Sequence, residues 1–135
     1  MSGSNKSPKP VDALPAQTVR RLGTYNVDDL RRWAEQAGHE FVLVECSDCV
    51  EKCSVLKAIG RAFAFPAWYG ANLDALYDCL TDLPERGRPG WMVVLERLPD
   101  EPRFIAEQQA ALLDVFRDAA EAFAERGVAL RVFYC

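Results

Sequence analysis

Apolar and polar residues follow two spacings along the chain, one typical of helices and one typical of buried strands. Apolar residues three or four positions apart predict amphipathic helices at 27–37, 52–63, 73–83 and about 103–125. Short, nearly continuous apolar runs, which predict buried strands, lie at 41–45, 91–96 and 128–134. Because helices separate each strand from the next, the sequence predicts an α/β fold with a small, three-stranded parallel sheet.

Local signals mark several helix ends. Asn26 and Gly38 flank the first helix as an N-cap and a stop, and Asn72 is positioned to cap the helix that begins at residue 73. Residues 1 to about 17, in contrast, are polar, contain three prolines and are predicted to be disordered. They also lack the apolar core of a signal peptide, which favours a cytoplasmic protein.

The stretch from 65 to 83 joins an aromatic loop to a helix with two unlike faces. Leucines and Cys79 form the apolar face, so this thiol is expected to be buried and unreactive. Asp74 and Asp78 lie one turn apart on the other face, and like charges at this spacing cost a helix roughly 0.2–0.5 kcal/mol. No Lys or Arg occurs between Arg61 and Arg86 to offset them.

Three aromatic residues accompany these carboxylates. Trp68, Tyr69 and Tyr77 are expected to be exposed next to the acidic face. An ordinary solvated helix face would explain the aspartates alone. Aromatic side chains concentrate at protein interfaces, however, so the combination predicts a surface that binds another protein.

The overall charge agrees with a protein partner. The chain of 135 residues carries a formal net charge of -4, so binding driven by neutralising nucleic-acid phosphates is not expected, and a basic protein is the natural complement. Half of the residues are hydrophobic, as in an ordinary soluble domain. No apolar run approaches the roughly 18 residues of a membrane span, so no membrane partner is expected.

The cysteines provide the main alternative. Their odd number, five, fits a reducing compartment better than a disulfide framework. Cys46 and Cys49 have a spacing that suits zinc, with Cys53 nearby and His39 as a possible fourth ligand. Most of a strand separates His39 from Cys46, however, which is an unfavourable geometry for binding one zinc ion. The preferred interpretation is therefore that these residues bind no metal and that the protein has no cofactor. The alternative function is a regulator that binds zinc or senses redox state through Cys46, Cys49 and Cys53.

Signals for catalysis are weak. His39 is the only histidine, is expected in a surface loop, and has no supporting motif for Ser-His or Cys-His catalysis. Asp74 and Asp78 could bind Mg²⁺ or act as an acid/base pair, but no glycine-rich phosphate loop accompanies them. The sequence therefore predicts a protein that is not an enzyme and has no catalytic residues.

Several short motifs occur in one register between 65 and 81. They are Phe65-Pro66, Tyr69-Gly70, Asn72-Leu73-Asp74-Ala75-Leu76 and Asp78-Cys79-Leu80-Thr81. This set resembles the barstar family of intracellular ribonuclease inhibitors, and the similarity extends over about 41–135. The resemblance implies a three-stranded parallel sheet covered by helices in a domain at 41–135. It leaves 18–40 as an N-terminal helical extension that barstar itself lacks.

The resemblance also implies a function. The protein would inhibit a secreted, basic, guanyl-preferring ribonuclease inside the bacterial cell that makes it, as an immunity protein or antitoxin. In a one-to-one complex, the acidic helix and aromatic loop would plug the active site, with carboxylates imitating phosphate. The residues implied to bind the ribonuclease are Trp68, Gly70, Asn72, Asp74, Tyr77, Asp78 and Asp118.

Individual positions refine this expectation. Asp78 matches the aspartate that occupies the nuclease's phosphate site, and Asp74 matches a second acidic contact on the same helix. Asp118 stands where barstar has a longer glutamate, and Leu83 replaces a tryptophan that contacts the enzyme. These departures favour a cognate nuclease other than barnase.

Overall fold

Strands and helices alternate through most of the chain. A computed structural model describes residues 10–135. Residues 1–9, part of the segment predicted to be disordered, lie outside the described residues. The strands are β1 (Gln17–Arg21), β2 (Glu40–Glu45), β3 (Gly90–Glu96) and β4 (Ala129–Tyr134). The helices are α1 (Val27–Ala37), α2 (Lys52–Phe63), α3 (Leu73–Asp82) and α4 (Gln109–Glu125), and a π-helical turn at Phe104–Gln108 leads into α4.

All neighbouring strands run parallel, in the order β1-β4-β3-β2. One row of valines crosses the whole sheet, since Val42 pairs with Val93, Val93 with Val132, and Val132 with Val19. The predicted α/β class with a parallel sheet is therefore confirmed, with four strands instead of three.

The additional strand, β1, lies before the region that resembles barstar. It pairs along β4, and the backbone N–H of Leu22 donates to the carbonyl of Tyr134 at 2.7 Å just beyond the strand. Val11 and Leu14, upstream of β1, are both buried. The prediction of disorder is therefore wrong for residues 10–17, and the N-terminal extension contributes a strand in addition to its predicted helix.

The two faces of the sheet bury separate cores. Trp91, Val93 and Leu95 of β3 pack in the larger core, which α2, α3 and α4 cover. Met92 and Val94, which point to the opposite face because side chains alternate along a strand, pack with the N-terminal segment and α1. Since both faces of β3 are covered, its continuous apolar run is explained.

The helix α1 begins and ends where its local signals predicted. The Asn26 side chain accepts hydrogen bonds from the backbone N–H groups of Asp28 at 2.8 Å and Asp29 at 3.3 Å. Gly38 adopts a left-handed conformation with φ of 75°, which ends the helix.

A buried arginine fixes the N-terminal segment to the sheet. Arg131 of β4 is only 7% exposed, and its guanidinium lies 4.9 Å from the centre of the Trp33 ring. It donates to the carbonyl of Leu14 at 3.3 Å, while the Trp33 indole donates to Asp12 at 2.5 Å. Burial lowers the pKa of Arg131, and the nearby Asp12 acts in the opposite direction. These contacts join the segment before β1 to both α1 and β4.

Candidate functional site

The loop before α3 is held by a buried tyrosine. The Tyr69 side chain is 7% exposed, and its hydroxyl donates to the carbonyl of Leu56 in α2 at 2.9 Å. A Cβ atom at Gly60 would lie 2.6 Å from the Tyr69 ring, so only glycine allows this close approach. The expectation that Tyr69 is exposed is therefore wrong, because its ring packs against α2. Burial also raises the pKa of Tyr69.

The rest of the loop turns sharply into α3. Gly70 and Ala71 both have positive φ, at 55° and 48°, in the left-handed region that glycine adopts most easily. The Asn72 side chain then accepts a hydrogen bond from the backbone N–H of Ala75 at 2.8 Å, as predicted for an N-cap. Trp68 remains 57% exposed at the tip of the loop.

The two faces of α3 are separated as the sequence predicted. Its apolar residues Leu76, Cys79 and Leu80 are buried, whereas Asp74 and Asp78 are exposed. Burial, followed by the nearby Asp82 and Asp78, raises the pKa of the Cys79 thiol, in agreement with an unreactive cysteine.

A cleft of about 680 Å³ separates the exposed faces of α3 and α4. Its lining residues are Leu73, Asp74, Tyr77, Asp78, Val115, Asp118, Glu121, Ala122 and Glu125. The fold thus brings together four of the predicted site residues from two distant segments. Trp68, Gly70 and Asn72 lie in the loop that precedes α3 and do not line the cleft.

Two acidic residues of the cleft were missed by the sequence analysis. Glu121 and Glu125 follow Asp118 by three and seven positions, so all three carboxylates lie on one face of α4. This spacing was available in the sequence. The spacing alone does not mark this face of α4 as part of a site, because the sequence does not show that α4 packs beside α3.

No basic side chain neutralises the cleft within residues 10–135. None of its five carboxylates takes part in an ion pair in this part of the chain. Arg117, the arginine next to Asp118 in sequence, instead pairs with Asp114 at 3.1 Å. Tyr77, 37% exposed, supplies an aromatic surface between the acidic groups. The cleft is therefore suited to basic groups of a partner.

His39, the possible fourth ligand of the alternative zinc site, does not lie near Cys46. His39 packs against Gly90 at the start of β3, whereas the backbone N–H of Cys46 donates to Glu96 at its end. These positions are about 20 Å apart along the strand. Among residues 10–135, no group of three or more His, Cys, Asp and Glu side chains is arranged to hold a metal ion.

His39 is also not the surface loop residue that was expected. It is half-buried, its Nδ1 atom has no hydrogen-bond partner among residues 10–135, and its ring meets Trp33 edge-on with centroids 5.0 Å apart. Burial, and then Arg131 and Arg88, lower its pKa. This histidine is part of the packing between α1 and the sheet.

The fold and the cleft define a small, parallel α/β domain that presents an unneutralised acidic face bordered by aromatic residues. None of the described helices has both the length and the apolar character needed to cross a membrane. A family model described as Barstar (barnase inhibitor) matches residues 39–135. Since this match covers most of the chain, the protein belongs to the barstar family. Strand β1 and helix α1 precede the matched region.

Proposed function

We propose that the protein inhibits a secreted, basic, guanyl-preferring ribonuclease by occupying its active site with the acidic cleft and the aromatic loop. The observation that carries this proposal is the set of five carboxylates, free of ion pairs within residues 10–135, in one cleft of a member of the barstar family. In the cell, the inhibitor acts in the bacterial cytoplasm as an immunity protein, in a one-to-one complex with its nuclease.

The chemistry of a ribonuclease site explains why carboxylates are suited to this role. Such a site uses Arg, Lys and His side chains to hold phosphate, and these groups form strong, charge-assisted hydrogen bonds with carboxylates. Asp78, near the middle of α3 and within the cleft, is assigned to the phosphate position. Asp74 and Asp118 are assigned to neighbouring basic groups, because they border the same cleft from α3 and α4.

The loop gives the second part of the contact. Trp68 is largely exposed and is assigned to the rim or to the base pocket of the nuclease, with Gly70 and Asn72 beside it. Because Tyr69 attaches the loop to α2, little conformational freedom is lost on binding, which favours affinity.

One buried position supports a partner other than barnase. Leu83, which replaces a tryptophan that contacts the enzyme in barstar, is only 1% exposed and belongs to the larger core. It therefore offers no side-chain surface to a nuclease, and the cognate enzyme must be recognised without this contact.

The test compares two charge-neutralising variants of the same helix. Asp78→Asn removes a carboxylate from the cleft, whereas Asp82→Asn removes an exposed carboxylate outside the cleft lining. Each variant and the unmodified protein are titrated against barnase and other basic guanyl-preferring ribonucleases, with the inhibition constant measured at low and high salt. We expect inhibition of at least one enzyme, which Asp78→Asn weakens about 30-fold or more, corresponding to the roughly 2 kcal/mol or more of a broken buried charge pair.

The salt dependence provides a further readout. If the acidic cleft attracts a basic nuclease, association slows as ionic strength rises. Equal inhibition by Asp78→Asn and the unmodified protein would contradict the assignment of Asp78. The absence of inhibition toward every enzyme tested would contradict the proposed activity.

A further inference from the structure

Two cysteines lie in one tight turn at the carboxyl end of the sheet, away from the acidic cleft. Cys46 follows β2 directly, and the backbone N–H of Cys49 donates to the carbonyl of Cys46 at 2.9 Å. A hydrogen bond across a four-residue turn keeps the first and fourth Cα atoms within about 7 Å of each other. Disulfides span Cα separations of about 4.4–6.8 Å, so the turn holds the two residues at the distance that such a bond requires.

The two thiols differ in their access to solvent. Cys46 is fully buried, and its Sγ lies 3.9 Å from the carbonyl of Val44, whereas Cys49 is half-buried. Burial and then the adjacent Cys49 raise the pKa of Cys46 to about 12. Cys49 is therefore the thiol that a dissolved reagent reaches first, and Cys46 is the neighbour able to react with it afterwards.

The other cysteines are less suitable partners for Cys46. Cys135 donates its backbone N–H to Leu95, and Cys46 donates to Glu96, so the two cysteines flank β3 on opposite sides. Two strand spacings, about 10 Å, separate such positions, which exceeds the reach of a disulfide. Neither of the remaining cysteines shares the turn with Cys46, since Cys53 is exposed in the first turn of α2 and Cys79 is buried in α3.

We propose that Cys46 and Cys49 form a redox-modification site that reacts with low-molecular-weight disulfides. The Cys49 thiolate attacks one sulfur of the small disulfide, forms a mixed disulfide and releases one small thiolate. Cys46 then loses its proton and attacks the Cys49 sulfur, which forms the Cys46–Cys49 bond and releases the second small thiolate. The two protein thiols are oxidised, and the small disulfide is reduced to two thiols.

This site is independent of the proposed inhibition. Helix α2 runs from the cysteine turn to the loop that carries Trp68, and its 12 residues span about 18 Å. The reaction at the cysteine turn is read from the mass of the protein, without any nuclease. Failure of either proposal is thus distinguishable from failure of the other.

Oxidised glutathione is the probe, applied in excess to the folded full-length protein and to three variants. After unreacted thiols are alkylated, intact mass and peptide mapping locate each modification. We expect peptide mapping to find a Cys46–Cys49 bond in most of the unmodified protein and of Cys53→Ser, whether or not the exposed Cys53 and Cys135 carry glutathione. We expect Cys46→Ser to retain glutathione on Cys49, and Cys49→Ser to form no internal disulfide.

Other products would overturn the assignment. A disulfide that contains Cys53, Cys79 or Cys135 in place of the predicted pair would show that the turn is not the reactive unit. Persistent glutathione on Cys49 in the unmodified protein would show that Cys46 does not resolve the mixed disulfide. Because Cys49 is only half-buried, Cys49→Ser is expected to fold and keeps the test decisive even if Cys46→Ser does not.

Discussion

The acidic face of α3 is expected to reduce the stability of the free protein. Asp78 lies four residues after Asp74 and four before Asp82, and all three are exposed. Each like-charged pair at this spacing costs roughly 0.2–0.5 kcal/mol. Replacing Asp78 with Asn removes both pairs and keeps the side-chain shape, so Asp78→Asn should raise the free energy of unfolding by about 0.4–1.0 kcal/mol.

The two flanking aspartates should respond differently, which provides internal controls. Asp74 lies in the first turn of α3, where the helix dipole favours a negative charge by about 0.3–1 kcal/mol. Asp74→Asn should therefore gain nothing or lose stability. Asp82 is the last residue of α3, where the dipole opposes a negative charge. Asp82→Asn should therefore stabilise the protein while leaving inhibition unchanged.

Urea unfolding, followed by circular dichroism at low and at about 1 M salt, measures these differences. Because the free energy of unfolding of a small protein falls by about 1–3 kcal/mol per molar urea, the transition midpoint of Asp78→Asn should move to higher urea by about 0.1–1 M. The gain should shrink at high salt, where the Debye length is about 3 Å. A lower free energy of unfolding for Asp78→Asn would refute the reasoning, because it would mean that Asp78 stabilises the fold through its charge.

Two further predictions concern the cysteine turn and the N-terminal segment. Burial raises the pKa of Cys46 from 9.0 to about 12, so at pH 10 the folded state holds this proton while the unfolded chain releases it. The resulting stability is present below pH 9 and is lost as the pH rises toward 12. Between pH 8 and 10, under reducing conditions, Cys46→Ala should therefore lose about 1 kcal/mol less than the unmodified protein. Equal losses in urea titrations would contradict this. Removal of residues 1–22 deletes β1 together with Val11 and Leu14, whose burial is worth up to about 3–6 kcal/mol. Light scattering and urea unfolding should then detect lower stability and self-association through the open β4 edge, and a stable monomer would contradict this.

The sequence predicted those elements whose signals are local. The Asn26 cap and the Gly38 stop determine where α1 begins and ends, and the apolar runs of β2, β3 and β4 reflect strands buried by helices. Strand β1 was missed because only Val19 is apolar among its five residues, and the strand forms by pairing with β4 more than 100 residues away.

The acidic cleft was likewise predicted only in part, because only some of its residues give a local signal. Asp74 and Asp78 stand out because no positive charge is near them in sequence, whereas Glu121 and Glu125 resemble any solvated helix face until α4 is packed beside α3. The burial of Tyr69 depends on Gly60, nine residues earlier, whose missing side chain makes room for the ring. A close approach between two segments leaves no periodic pattern that would reveal it.

The attachment of Tyr69 to α2 also affects the order in which the parts of the candidate surface form during synthesis. The loop reaches its final shape only after α2 has formed and offered the carbonyl of Leu56 to the Tyr69 hydroxyl. The cleft in turn requires α4, which is made near the end of the chain. A chain that stops before α4 therefore lacks the cleft, even when α2 and the loop are already present.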